Sequence, residues 1–154
     1  MKLSTKGRYA VVALADIALQ PVEKLVTLSE VSERQDISLA YLEQLFVKLR
    51  RAELVESVRG PGGGYRLARS PAEIRVLDIL SAVDETVSAL HTGAGASGAQ
   101  CGSRAQSMAN RLWEGLSAHV YVYLHQTRLS DVIENGLAPC PAVPSLFSVV
   151  DDCA

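Results

Sequence analysis

The chain has 154 residues, enough for one domain to bury roughly 68–70% of its unfolded surface without disulfide staples. Apolar residues make up 48% and charged residues 21%, an ordinary balance for a soluble protein, and no apolar run approaches the roughly 18 residues of a membrane helix. The net charge of −2 hides an asymmetry: residues 1–70 hold 11 Lys and Arg against 8 Asp and Glu, and residues 71–154 hold 4 against 9, so a polyanion partner suits the first half only.

Residues 1–8 are basic, but no uninterrupted apolar stretch with a small-residue cleavage site follows, so a cytoplasmic location without membrane contact is expected. A first helix is predicted from Ser4 to Leu19, with Tyr9, Val12, Ala13 and Ile17 at helical spacing, and Gln20-Pro21 ends it. Thr27 followed by Glu30 reads as a capping box for a short second helix to about Gln35. Asp36-Ile37 then makes a tight turn. Ser38 is expected to cap a third helix to about Ala52, with Leu39, Leu42, Leu45, Phe46 and Leu49 as its apolar stripe.

Leu54 to Leu67 reads as a hairpin whose tip is Arg59-Gly60-Pro61-Gly62-Gly63-Gly64. Three successive glycines carry a conformational penalty inside a helix or strand, so they mark the turn. Further helices are predicted at about Leu77 to Val83, Arg104 to His125 and Ser130 to Glu134. In the long one, Leu112, Trp113, Leu116, Val120 and Leu124 recur at steps of three and four. Residues 92–103 are rich in Gly, Ala and Ser and read as a loop; residues 136–154, with Pro139, Pro141 and Pro144, read as a flexible tail. The fold class is therefore mainly α with a small β-hairpin wing: a winged helix-turn-helix over residues 1–70, a loop and long-helix region over 71–135, and the tail.

Two short helices, a tight turn and a glycine hairpin suit DNA. An α-helix fits the major groove, and side chains in its first turns reach base edges. The candidates are Ser38, Tyr41, Glu43 and Gln44. Glu43 can accept from a cytosine amino group and Gln44 can pair with adenine. Lys48, Arg50 and Arg51 can add charge against the phosphates. Arg59, with Gly60, Pro61, Gly62 and Gly63, can enter a narrow minor groove. No Ser-His-Asp order, paired carboxylates or nucleotide-binding glycine loop stands out, so an enzyme is not expected; a winged module that binds proteins is the remaining alternative.

Three segments resemble the bacterial Rrf-two family of transcription regulators: Leu3 to Ala10, Ile37 to Phe46 and Ser57 to Tyr65, with Ser81-Ala82-Val83-Asp84-Glu85 in further agreement. The resemblance covers about residues 1–135. It implies a homodimer whose long C-terminal helices cross, binding to a pseudo-palindromic double-stranded DNA operator, and repression of iron–sulfur assembly and iron-metabolism genes. Where such proteins often have a serine, this chain has Ala40.

The iron–sulfur-regulating members of that family usually place three cysteines and one histidine before the Leu-Trp of the long helix. Aligned on Leu112-Trp113, the middle cysteine falls on Cys101, the third on Ser107, the histidine on Asn110 and the first near His91-Thr92. The resemblance thus implies an iron–sulfur cluster, of the 2Fe-2S kind, with atypical ligation through Cys101 and, by position, His91. A thiolate in a loop before a helix N-terminus is favoured by the helix dipole. Further ligands would come from Cys140, Cys153, His119, His125 or a carboxylate. The odd number and wide spacing of the cysteines argue against a disulfide framework. A cluster-free regulator of the same fold, sensing oxidants through Cys101 or recognising a protein partner, is the alternative.

Overall fold

The computed structural model describes residues 4–84, 104–134 and 137. Among the described residues, six helices and one hairpin follow in order: α1 (Thr5–Ala18), α2 (Leu28–Gln35), α3 (Leu39–Arg51), β1 (Val55–Val58), β2 (Gly64–Leu67), α4 (Val76–Ala82), α5 (Arg104–Gln126) and α6 (Leu129–Ile133). The architecture is mainly helical with a two-stranded antiparallel wing.

The capping box at the start of α2 is present. The Glu30 backbone N–H donates to Thr27 Oγ1 (3.2 Å), and the Thr27 backbone N–H donates to Glu30 Oε2 (2.7 Å). Two N–H groups that lack helical partners are thereby satisfied. Those bonds from Thr27 hold the Glu30 carboxyl below its ordinary range. α2 closes on Asp36, which takes the left-handed conformation (φ 52°), and the Ser32 hydroxyl donates to the Ile37 carbonyl at 2.6 Å. This is the tight turn between the two helices, and it buries Ile37.

Ser38 stands at the N-cap of α3, but its side chain makes no cap hydrogen bond, contrary to the sequence expectation. Its carbonyl instead accepts from the Tyr41 and Leu42 N–H groups at 3.1 and 3.0 Å. The α3 stripe is Leu42, Leu45, Phe46 and Leu49, all buried; Leu39 is exposed because it lies ahead of the first full turn packed on the core. Val12 of α1 is likewise exposed, while Ala10, Ala13, Leu14 and Ile17 supply that helix's buried face.

One core joins these elements. It runs from Ala10 and Leu14 of α1 through Val31, Leu42, Phe46 and Leu54 to Ile74, Ile79, Val83 and Leu129. The backbone of Leu129 donates to the Ile74 carbonyl (2.9 Å), and Val76 donates to the Thr127 carbonyl (3.0 Å). These bonds tie the end of α5 and the start of α6 to the start of α4. The α5 helix itself buries none of its 23 residues within the chain.

Candidate nucleic-acid interface

The helix pair before the turn is fixed by a buried carboxylate. Asp16 of α1 is 5% exposed and accepts from Arg34 Nε (3.0 Å), Arg34 Nη2 (2.6 Å) and Gln35 Nε2 (2.8 Å). Burial pushes the Asp16 carboxyl up, but the bonds from Arg34 and Gln35 outweigh it and hold the group below its ordinary value. A two-pronged Arg–carboxylate contact fixes orientation as well as distance, so it sets the angle of α2 on α1 and, through the turn, of α3.

On α3 the outward side chains are Ala40, Glu43, Gln44, Val47, Arg50 and Arg51. Tyr41 is half-buried, and its ring meets Tyr9 of α1 edge-on with centroids 5.7 Å apart. Lys48 is half-buried and forms an ion pair with Asp84, just past the end of α4. Arg50 Nη1 reaches Ser57 Oγ of β1 at 3.4 Å. The charges of Lys48, Arg50 and Arg51 fall in the last turn of α3, where the helix dipole favours cations whatever else they do.

The wing is built on the back of α3. Val55 pairs with Leu67, Glu56 with Arg66, Ser57 with Tyr65 and Val58 with Gly64. Arg66 donates to Glu56 Oε2 through Nε (3.0 Å) and Nη2 (2.9 Å) across the strands. Arg59 is exposed and belongs to no ion pair among the described residues. At the tip the Gly63 N–H donates to the Gly60 carbonyl (2.9 Å), with Gly60 at φ 108° and Gly62 at φ 72°, a turn that L side chains rarely adopt. Gly60, Pro61 and Gly62 are exposed, and Gly63 is half-buried, with room for no Cβ, which would meet the Val58 carbonyl oxygen at 2.3 Å.

The sequence pattern gives no sign of one feature of the wing. Tyr65 exchanges backbone hydrogen bonds with Val26, at 2.9 and 2.7 Å, so the residues before α2 add a bridge to the hairpin. A Cβ on Gly64 would lie 2.7 Å from the Val26 carbonyl oxygen. That close approach, rather than turn geometry, is what Gly64 permits.

The proposed metal ligands Cys101 and His91, and Cys140 and Cys153, lie outside the described residues. Among the described residues, no three His, Cys, Asp or Glu side chains are grouped to hold a metal ion. His119 is exposed. His125 is half-buried, its Nε2 against Arg75 Nη1 and its ring stacked on Tyr121 with centroids 6.0 Å apart. It is engaged at the junction of α5 with α4.

Helix, left-handed turn, helix with a polar outer face, then a glycine-tipped hairpin define a winged helix-turn-helix transcription regulator. The family model described as an iron-dependent transcriptional regulator, Rrf2 (Rrf-two), matches residues 3–135. The chain is 73% identical over 154 residues to the HTH-type transcriptional regulator IscR of Cereibacter sphaeroides, covering 99% of each chain. It is 51% identical over 133 residues to IscR of Aliivibrio salmonicida, covering 86% of this chain and 77% of that one. Among solved structures it is similar to CymR, the global cysteine regulator of B. subtilis (TM-score 0.74, 30% identity, 88% and 98% covered). It is also similar to T. potens IscR (TM-score 0.65, 35% identity, 88% of each covered).

The chain belongs to the Rrf-two family. It is a DNA-binding transcriptional regulator similar to IscR, and not an enzyme. Among the described residues, no helix is long and apolar enough to cross a membrane.

Proposed function

We propose that the protein is a cytoplasmic, iron-responsive repressor of iron–sulfur cluster assembly and iron-metabolism genes. It binds a pseudo-palindromic operator as a homodimer. Residues 1–70 read DNA, and residues 71–135 carry the sensing loop and the dimerisation helices. The observation that carries the DNA reading is the exposed face of α3, with Glu43 and Gln44, joined to a wing that presents Arg59 on a glycine tip. Ser38, Tyr41, Glu43 and Gln44 meet base edges or the adjoining backbone. Lys48, Arg50 and Arg51 face phosphates, and Arg59 with Gly60, Pro61, Gly62 and Gly63 follows the minor groove. The uncapped start of α3 at Ser38 suits a phosphate.

Dimerisation is supported by α5. Its Leu112, Trp113 and Leu116 are 65%, 45% and 41% exposed in the single chain, an apolar face that a second copy would cover.

Sensing is assigned to an iron–sulfur cluster of the 2Fe-2S kind, with Cys101 and His91 among its ligands. The iron-dependent family and the identity with IscR of Cereibacter sphaeroides support this reading. Histidine in place of cysteine raises the potential of such a cluster. The test is oxygen-free purification followed by visible absorption and iron and sulfide assays, for wild type, Cys101→Ser and His91→Ala. Cluster signals in the wild type, lost in Cys101→Ser, are expected. A second reading, a cluster-free thiol sensor acting through Cys101, draws on the likeness to CymR, a cysteine regulator. It predicts an iron-free wild type whose oxidant response disappears in Cys101→Ser.

A further inference from the structure

Lys48 lies one turn beyond Gln44 on α3, so it continues the face assigned to DNA along the groove wall. Its ammonium is nevertheless already paired, with Asp84. Asp84 adopts the left-handed conformation (φ 58°) just after α4, and its N–H donates to the Ser81 carbonyl at 3.2 Å. That turn aims its side chain back across the end of α3. The Asp84 side chain is 74% exposed and the Lys48 side chain 37% exposed. The Lys48 bond holds the Asp84 carboxyl below its ordinary value, and the charge of Lys6, exposed in the first turn of α1, adds a smaller pull in the same direction. The helix carrying Lys6 also packs Tyr9 against Tyr41 of α3. The Lys48 ammonium thus stands at one edge of the reading face, and a carboxylate from another element faces it.

We propose that Asp84 is an internal phosphate mimic: it neutralises Lys48 at the edge of the reading face and so holds down affinity for DNA of any sequence. The proposal rests on the interface described under the proposed function. The physical basis is competition. An exposed carboxylate–ammonium pair is held weakly and is screened by salt, whereas a DNA backbone offers the same cations a phosphate and releases counterions on binding. Phosphate contacts carry no sequence information, so removing the carboxylate adds affinity without adding discrimination. Asp84 therefore sets overall affinity and its salt dependence and leaves base preference unchanged.

Asp84→Asn keeps a residue type that tolerates the left-handed conformation and removes only the charge. The experiment measures fluorescence anisotropy of a labelled operator duplex and an unrelated duplex, from about 50 to 200 mM salt. It compares full-length wild type, Asp84→Asn, Lys48→Gln, the double variant, Gln44→Ala and Arg59→Ala. Asp84→Asn is expected to tighten binding to both duplexes and to steepen the plot of log affinity against log salt by about 0.9 for each further phosphate engaged. Lys48→Gln is expected to weaken binding to both duplexes and, in the Asp84→Asn background, to cancel much of the tighter binding, the signature of a coupled pair.

Unchanged or weaker binding by Asp84→Asn, with Gln44→Ala and Arg59→Ala impaired, overturns the proposal and leaves the interface standing. Unchanged binding by Gln44→Ala and Arg59→Ala overturns the interface and this proposal with it. Should Asp84→Asn fail to fold, Asp84→Gly, which also accepts the left-handed conformation, takes its place, and unchanged or weaker binding by it overturns the proposal.

Discussion

The Phe46 ring meets the Tyr65 ring edge-on, with centroids 4.9 Å apart and planes 70° apart. The buried face of the reading helix is thereby fixed to the second strand of the wing, and Tyr65 in turn holds Val26 through the backbone. Helix and wing are thus packed against each other. Phe46, fully buried, is expected to cost about 3–5 kcal/mol on replacement by alanine. Tyr65→Ala is expected to cost less, since Tyr65 is half-buried, yet to weaken DNA binding more than its stability loss implies. Urea unfolding and operator binding on the two variants check this; equal loss of affinity at matched folded fractions would contradict it.

The wing glycines are expected to differ in their tolerance. Gly62 has open space around its missing Cβ but sits at φ 72°, so Gly62→Ala costs about 1–2 kcal/mol of left-handed strain and Gly62→Asn less. Gly64→Ala drives a methyl group against the Val26 carbonyl and is expected to cost about 1–3 kcal/mol through displaced backbone, with no relief from asparagine. Thermal melts of Gly62→Asn, Gly62→Ala, Gly64→Ala and Gly64→Asn test the ordering.

Asp16 should mark the acid limit of the fold. Its folded carboxyl lies below the ordinary value because Arg34 and Gln35 donate to it, so its stabilisation is complete above the ordinary carboxylate range. That contribution disappears as pH falls through the depressed value. Asp16→Ala leaves Arg34 unpartnered and is expected to cost about 2–3 kcal/mol at neutral pH, allowing for the part-exposure of Arg34. In melts from about pH 3 to pH 7, Asp16→Asn should flatten the acid side of the stability curve; an unchanged acid limb would count against the assignment.

The proposed base and backbone contacts are expected to separate on substitution. Gln44→Ala is expected to cost about 1–3 kcal/mol on the operator and little on unrelated DNA, relaxing preference at one base position. Arg59→Ala is expected to weaken both and to lower the salt slope by about 0.9. A competition series with single-base operator variants, read at two salt concentrations, distinguishes them.

Local patterns are legible in the sequence because their causes are local. The Thr27–Glu30 box is a spacing of three, the α3 stripe follows helical periodicity, and the glycine run marks the hairpin tip, although Gly64 itself belongs to the second strand. Interactions between elements are not. Asp16 and Arg34 are 18 residues apart on different helices, and Lys48 and Asp84 are 36 apart, so neither pair leaves a trace in periodicity. Ser38 shows the limit of a motif: its position is readable, but whether its hydroxyl turns back to the helix depends on the turn preceding it. Leu39 and Val12 show the limit of a stripe, since an apolar residue at the right spacing stays exposed where no neighbouring element reaches it. Tyr41 divides between core and surface, with its ring lodged on Tyr9 and part of its area still open.

The central claim, that this DNA-binding regulator senses iron through a cluster involving Cys101, is tested most directly by operator binding on a sample whose cluster content is measured in the same cuvette. Protein purified without oxygen should show visible absorption with iron and sulfide present, and stripping the iron with a chelator should change operator affinity by about tenfold or more, a coupling of about 1.4 kcal/mol. Cys101→Ser should lack the absorption and bind as the stripped protein does. A colourless, iron-free wild type that binds its operator at full affinity, indifferent to iron and to Cys101→Ser, would contradict the account.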